Sequence, residues 1–356
     1  METKVLNNSN YLTVEAYLSN PHNPTIVEVN EDVKLEYEIG KDELGNPIYK
    51  EVTLRFSAGD ILFFNGGTLN KGILSGTAKL KVMSERMFQV DSNGHSTVTF
   101  DQSFQLNVPY LRPEWFGAKG NLVFERNGDN FTLNEDPSYY DNFWDDSVAI
   151  NETIRVAEEL SIKTVKFNAV NYLVKAGIKI YKGNLRLEGS GALLREEQWM
   201  DISNGTGGRG RLQIWNTRTS TLFCPKGGSL ITLGEELVAG KDPVYPVSQD
   251  DSVNPADPVI ISDLQLWTAG NVWEYDIEKD KLTSGINFCS NFAGPLWPLI
   301  IERCHFRNFY YAVHINTRID YPVTNLRIDE CAFSSNMYCL FSERRDKTAT
   351  TGVVEL

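Results

Sequence analysis

Histidine is scarce in this chain, and basic residues are outnumbered by acidic ones. Only four histidines (His22, His95, His305 and His314) occur in 356 residues, and they form no HxH, HExxH or His-carboxylate cluster. Metal catalysis has no support in such a set, and neither metal nor cofactor is expected. Lys and Arg number 34 against 47 Asp and Glu, giving a net charge of -13 that repels phosphate backbones and anionic membrane surfaces. Nucleic acid is therefore not an expected partner. The five cysteines (Cys224, Cys289, Cys304, Cys331 and Cys339) are an odd set without CxxC spacing, so neither a disulfide framework nor a zinc site is indicated. Reduced core residues are expected instead. No apolar run approaches the roughly 18 to 20 residues of a spanning helix. The opening METKVLNNSNYLTVEAYLSN lacks the basic start and apolar segment of a signal peptide.

What is present is strand texture. The segments EVTLRF (51–56), ILFFNGGTL (61–69), GILSGTAKLKVM (72–83), MFQV (87–90) and STVTF (96–100) are short, rich in β-branched and aromatic residues, and punctuated by Gly, Asn, Asp and Ser. Before them, NNSN, SNPHNP and KDELGNP are turn-formers, and only VEVNEDVKLEYEI (27–39) alternates as a strand does. This reading divides the chain into an attachment or cap segment (1–50), a β-rich N-terminal domain (51–112) and a main body (113–356).

One helix is expected, near 146–160. DDSVAINETIRVAEEL places Val148, Ile150 or Ala149, Ile154, Ala157 and Leu160 on one side, with Asn151, Glu152, Arg155, Glu158 and Glu159 largely opposite. Asp145, Asp146 or Ser147 can cap its first turn, accepting backbone N–H bonds at the positive end of the helix dipole. Strands return in TVKF (164–167), YLVKAGIKI (172–180) and NLRLEGSG (184–191).

An internal repeat follows. Residues 298–306 and 325–333 both read LxIxxCxF, pairing Leu299 with Leu326, Ile301 with Ile328, Cys304 with Cys331 and Phe306 with Phe333. Residues 258–266 fit the same template through Val259, Ile261, Leu264 and Leu266. Alternation points two side chains inward on each of two strands, with two residues turning the chain between them, as in one coil of a solenoid. Cys304 would then lie about 4.8 Å from Cys331. That spacing permits a disulfide, but a ladder of small apolar residues is the preferred reading. Leucine-rich repeats and propellers need signatures that are missing.

The order FGAKG (116–120), DDSVAI (145–150), TVKF, YLV, IKI, NLRLEGSG resembles the start of the pectate-lyase-like right-handed β-helix superfamily, found in polysaccharide-degrading enzymes and bacteriophage tailspikes. With FFNGGTL, GILSGT and PEWFGA before it, the pattern looks closest to β-helical tail fibre or tailspike proteins of phages of gut Bacteroidetes. The resemblance implies an all-β, right-handed parallel β-helix with one N-terminal capping α-helix and a preceding β-rich region. It makes Trp115, Phe116, Gly117 and Gly120 a structural junction, the aromatic pair plugging apolar surface while the glycines let the backbone turn. It also implies a homotrimer in a virion appendage, assembled in the host cytoplasm, with the N-terminal region attached to other tail or capsid proteins. The chain departs from the pattern at 121–144, a polar and aromatic insertion, and at Asn168-Ala169-Val170-Asn171, where Pro-x-Gly would stand.

For chemistry, the polygalacturonase set of NTD, DD, GHG and RIK is not present as a set. Glu302 and Asp329 hold the same outward position on adjacent coils and are the catalytic candidates; a retaining glycosidase separates its carboxylates by roughly 5 to 5.5 Å. Arg303 and Arg327 beside them favour solvated ion pairs. Trp267, Trp273, Tyr275, Trp297 and Tyr310 are the candidates for stacking on the apolar faces of sugar rings, against core packing or chain contacts. The function expected is a structural virion protein that recognises host surface glycan or assembles an appendage. A polysaccharide depolymerase and a purely architectural fibre segment are the alternatives.

Overall fold

The computed structural model describes residues 1–127, 130–132, 137–181, 183–191, 219–225, 228–234, 258–269, 283–289, 299–318 and 326–345. They fall in two compact units, Met1–Ala118 with Val148–Val165 and Lys119–Ser147 with Lys166–Leu356. The chain is mostly β-strand, arranged largely in parallel sheets, with two α-helices among the described residues.

The first unit opens with β1 (Glu2–Leu6), α1 (Tyr11–Leu18), β2 (Thr25–Val29), β3 (Val33–Lys34), β4 (Glu36–Lys41) and β5 (Pro47–Glu51). It continues through β6 (Thr53–Phe64), β7 (Leu69–Asn70), β8 (Ile73–Val82), β9 (Thr99–Phe100) and β10 (Gln105–Asn107). One parallel sheet runs β1-β2-β6-β8-β10, with β9 beside β8. Alternation explains its register: Val27, Val29, Leu54, Leu62, Phe64 and Leu74 are buried along one face. The expected boundary at residue 50 falls inside this sheet, because β2 pairs with β6. Helix α1 was not anticipated either. Its entry NNSN does make the expected turn, with Asn7 N–H donating to Asn10 Oδ1 at 2.9 Å. YLTVEAYL, rich in β-branched and aromatic residues, then buries Val14 and Leu18 as a helix.

The second helix, α2 (Ser147–Glu159), matches the expected position. Ala149, Ile150, Ile154, Val156 and Ala157 are buried, whereas Val148, expected inward, is exposed. Glu152, expected on the polar face, is buried instead. Its carboxylate accepts from Arg155 twice at 2.8 Å and from Ser96 N–H at 2.8 Å, which offsets the cost of removing the charge from water.

The second unit contains a hairpin, β11 (Glu125–Asn127) with β12 (Asn130–Thr132), and then strands in triplets. The strand β13 (Thr164–Lys166) enters the unit at Lys166 and is followed by β14 (Asn171–Leu173) and β15 (Ile178–Ile180). Next come β16 (Leu185–Glu188), β17 (Ser220–Cys224) and β18 (Ser229–Leu233), then β19 (Val259–Ser262), β20 (Leu264–Thr268) and β21 (Ser284–Cys289). The last two triplets are β22 (Leu299–Glu302), β23 (His305–Arg307) and β24 (Tyr311–Arg318), then β25 (Leu326–Asp329), β26 (Ala332–Ser334) and β27 (Tyr338–Arg345). Each triplet, called a rung below, gives one strand to each of three parallel sheets. The first sheet contains β16-β19-β22-β25, the second β14-β17-β20-β23-β26 and the third β15-β18-β21-β24-β27.

Identical register on every rung stacks like on like. Leu187, Ile261, Ile301 and Ile328 align in the first sheet, and Tyr172, Leu222, Leu266, Phe306 and Phe333 in the second. Phe306 and Phe333 stack with centroids 5.1 Å apart. The bend from first sheet to second recurs at a left-handed residue, Asp263 (φ 58°), Arg303 (φ 52°) and Glu330 (φ 49°), which is the expected two-residue turn. Cys304 and Cys331 follow it as free thiols, and Cys304 is buried. Each Sγ–H points to backbone carbonyl oxygen, Cys304 to that of Ile261 at 3.5 Å and Cys331 to that of Asp329 at 3.2 Å.

Candidate functional site

The second sheet carries the most chemically distinctive face. Strand alternation turns Leu222, Leu266 and Phe306 to one side and leaves two outward rows. One is Asn171, Thr221, Gln265, His305 and Ala332; the other is Leu173, Phe223, Trp267, Arg307 and Ser334. The insertion at 121–144 explains why much of this outward face is dry. Leu122 and Tyr140 pack with Leu173, Phe223, Trp267 and Ala269, with Phe124, Tyr139 and Phe143 against them. Ring centroids lie 4.9 Å apart for Tyr140 and Phe223, and 5.5 Å for Phe124 and Trp267. The insertion's aromatics are thus a roof over the first three strands of the sheet.

The other outward row and the last two strands carry polar groups. Thr221 Oγ1–H donates to Gln265 Oε1 at 3.1 Å, while Gln265 Nε2 has no partner among the described residues. His305 Nε2 and Ser334 Oγ share a hydrogen bond of 2.7 Å, and His305 Nδ1 has no partner among the described residues. His305 is only 1 % exposed. Burial, and then the Arg307 charge, push its imidazole down to about 4, so the ring is neutral at neutral pH. Arg307 lies with its guanidinium carbon 5.3 Å from the Trp267 ring centroid, a cation–π contact. Burial lowers its pKa, and among the described residues no carboxylate forms an ion pair with it. Ala332, in register with His305 on the last rung, presents only a methyl group. The arrangement offers guanidinium, amide and hydroxyl donors on rigid strands without an acidic side chain, which suits an anionic acceptor. The sequence did carry a signal for Arg307. It follows the inward aromatic of the repeat, where Trp267 and Ser334 stand on neighbouring rungs.

Glu302 and Asp329 do occupy paired positions on adjacent strands of the first sheet. Each is held by guanidinium groups: Glu302 Oε1 accepts from Arg186 at 2.9 Å and Arg303 at 3.2 Å, and Asp329 Oδ2 from Arg327 at 2.6 Å. Arg303 also makes a two-pronged contact with Asp263, at 2.8 Å on each oxygen. The local geometry is a ladder of ion pairs along one face. Of the expected sugar-stacking aromatics, Trp267 (2 % exposed) and Tyr310 (5 %) are buried, because the roof covers the first and Tyr311 and Tyr338 pack on the second. Trp273, Tyr275 and Trp297 lie outside the described residues. Tyr338, absent from the expected set, is an exposed aromatic of the last rung.

The junction residues divide between the units. In the first, Pro113–Phe116 forms a 3₁₀ turn closed by Gly117 at φ 103°, where Gly117 N–H donates to the Glu114 carbonyl at 3.0 Å. Phe116 is buried against Phe88, with centroids 5.5 Å apart, whereas Trp115 is half-buried and stacks on Tyr110. Phe116 is therefore part of the first unit's core, and Trp115 is its partly solvated neighbour. In the second unit, Gly120 takes φ 55°, and a Cβ there would lie 2.3 Å from Val170. Asp145 accepts from Ser147 N–H at 2.9 Å and thereby fastens the start of α2. The described bonds of Asp146 go elsewhere: it accepts from Lys119 N–H at 2.6 Å, Gly120 N–H at 3.3 Å and Leu173 N–H at 3.2 Å. This buried carboxylate ties the AKG turn to β14. Burial pushes its carboxyl up to about 6 against the opposing pull of those N–H donors.

Compared with protein-family models, curated proteins and solved structures, the chain matches none. Among the described residues, no group of three or more His, Cys, Asp or Glu side chains is gathered as metal ligands would be. No described helix is long and apolar enough to cross a membrane.

Proposed function

We propose that the second unit is a right-handed parallel β-helix and that the chain is a structural component of a bacteriophage tail appendage, of the tail fibre or tailspike kind, that recognises host surface glycan. Three parallel sheets visited in rotation support the first part, since each rung buries its inner residues only when a neighbour stacks upon it. The observation that carries the second part is the group of unopposed donors around Arg307, fixed on strands rather than on loops. In this reading the chain acts as a homotrimer in the virion, and the first unit joins other tail or capsid proteins.

The test uses the full chain immobilised and challenged with surface polysaccharide from gut Bacteroidetes. Retention without new reducing ends is the expected result, together with a light-scattering mass of three 40.2 kDa chains. A monomer that retains no polysaccharide would overturn the reading. New reducing ends or unsaturated products that disappear in Glu302→Gln and Asp329→Asn would instead identify a depolymerase.

A further inference from the structure

Two of the five cysteines meet across neighbouring rungs. β22 and β25 pair as far as Glu302 with Asp329, and β23 and β26 resume at His305 with Ala332, so Cys304 stands opposite Cys331. Backbone bonds bracket the pair: Arg303 N–H donates to the Asp329 carbonyl at 3.0 Å, and Ala332 N–H to the Cys304 carbonyl at 2.9 Å. Each cysteine follows a left-handed residue, Arg303 or Glu330, so the same local backbone gives both side chains the same direction. Paired strands lie about 4.8 Å apart, inside the ~4.4–6.8 Å Cα separation that a disulfide spans. The other cysteines have different surroundings: Cys224 aligns with Thr268, Cys289 aligns with Asn316, and Cys339 is exposed.

The two thiols are not equivalent. Cys304 is buried, whereas Cys331, on the last described rung, is partly exposed. The Cys304 thiol hydrogen-bonds the Cys331 sulfur and lowers the Cys331 pKa, while burial raises that of Cys304. Cys331 is therefore the better nucleophile, because the thiolate is the reacting species. The carbonyl contacts of the two thiols, at 3.5 Å for Cys304 and 3.2 Å for Cys331, are weak hydrogen bonds that rotation about Cα–Cβ can exchange for an S–S bond.

We propose that Cys331 and Cys304 form a thiol–disulfide couple, the first attacking and the second resolving, that fastens the last described rung to its neighbour. The Cys331 thiolate attacks one sulfur of a low-molecular-weight disulfide; the reagent's S–S bond breaks, a mixed disulfide forms at Cys331 and one thiolate leaves. Cys304 gives up its proton, attacks the Cys331 sulfur and expels the second thiolate. Two cysteine thiols are oxidised, and the reagent, reduced by two electrons, departs as two thiols that carry the two cysteine protons. The new bond restricts the unfolded chain between residues 304 and 331. Glycan recognition plays no part in this couple.

The experiment incubates the reduced, folded full chain with glutathione disulfide, traps the remaining thiols with iodoacetamide and maps the peptides without reduction. A linked Cys304–Cys331 peptide that dithiothreitol abolishes is expected, with amide exchange in β25, β26 and β27 slowed about tenfold or more. Cys304→Ser should stop with glutathione held on Cys331, Cys331→Ser should give no linked peptide, and Cys339→Ser should leave the link intact. The wild-type mapping needs no substitution, so a variant that fails to fold does not affect it. Both cysteines recovered alkylated, a wild-type mixed disulfide that never closes, a link made through Cys339 instead, or a link that forms only in denaturant overturns the couple. A link that leaves amide exchange unchanged overturns the fastening role.

Discussion

His22 Nδ1 lies 2.7 Å from the Asn20 carbonyl oxygen, and its Nε2 lies 2.9 Å from Asp60 Oδ2. Both neighbours are acceptors, so the ring satisfies both only as the doubly protonated imidazolium. The Asn20 carbonyl first, and Asp60 after it, raise the His22 pKa above its ordinary 6.5. Its stabilising contribution is therefore complete below about pH 6.5 and fades as the pH rises through the folded value. Chemical denaturation across that range should show stability falling with pH, and His22→Gln should flatten the slope. Asp146 acts in a lower window. Its carboxyl is raised from 3.8 to about 6, so stability should decline as pH rises from about 4 to about 6. The change is on the order of 2–3 kcal/mol, and Asp146→Asn should abolish it in the same measurement. The sequence pattern DDSVAI identified both aspartates and the helix behind them. It could not reveal that Asp146 bonds to residues 26 or 27 positions away, because that partnership exists only once the AKG turn and β14 are brought together.

At the scale of elements, the turn Pro113–Phe116 separates two aromatics that look equivalent in sequence. Phe116→Ala should cost about 3–5 kcal/mol, the range for emptying a buried aromatic site. Trp115→Ala, at a half-buried position, should cost about 1–2 kcal/mol, and paired thermal melts would rank them. The repeat LxIxxCxF was legible for the same reason that it folds: alternate residues must face a common interior, so their periodicity survives in the sequence. Helix α1 was not legible, because Val14 and Leu18 are too few to establish a period in YLTVEAYL. The insertion at 121–144 read as a departure from pattern. Its aromatics are spaced irregularly, and only the three-dimensional arrangement shows that Phe124 and Tyr140 converge on Phe223.

For the molecule as a whole, rung stacking makes stability depend on the number of neighbours. Ile261 and Ile328 share one column, but Ile261 is buried between strands whereas Ile328, on the last described rung, is only partly buried. Ile261→Ala should therefore cost about 2–5 kcal/mol, and Ile328→Ala about half as much, in equilibrium unfolding. Such an arrangement divides labour between a stack that acts as a ruler and a loop that marks a place along it. The described aromatics of the insertion reach Trp267, so this loop covers part of the outward face as far as the third strand of the second sheet. A loop of different length would cover a different share of that face while leaving the inward column of Tyr172, Leu222, Leu266 and Phe306 in register.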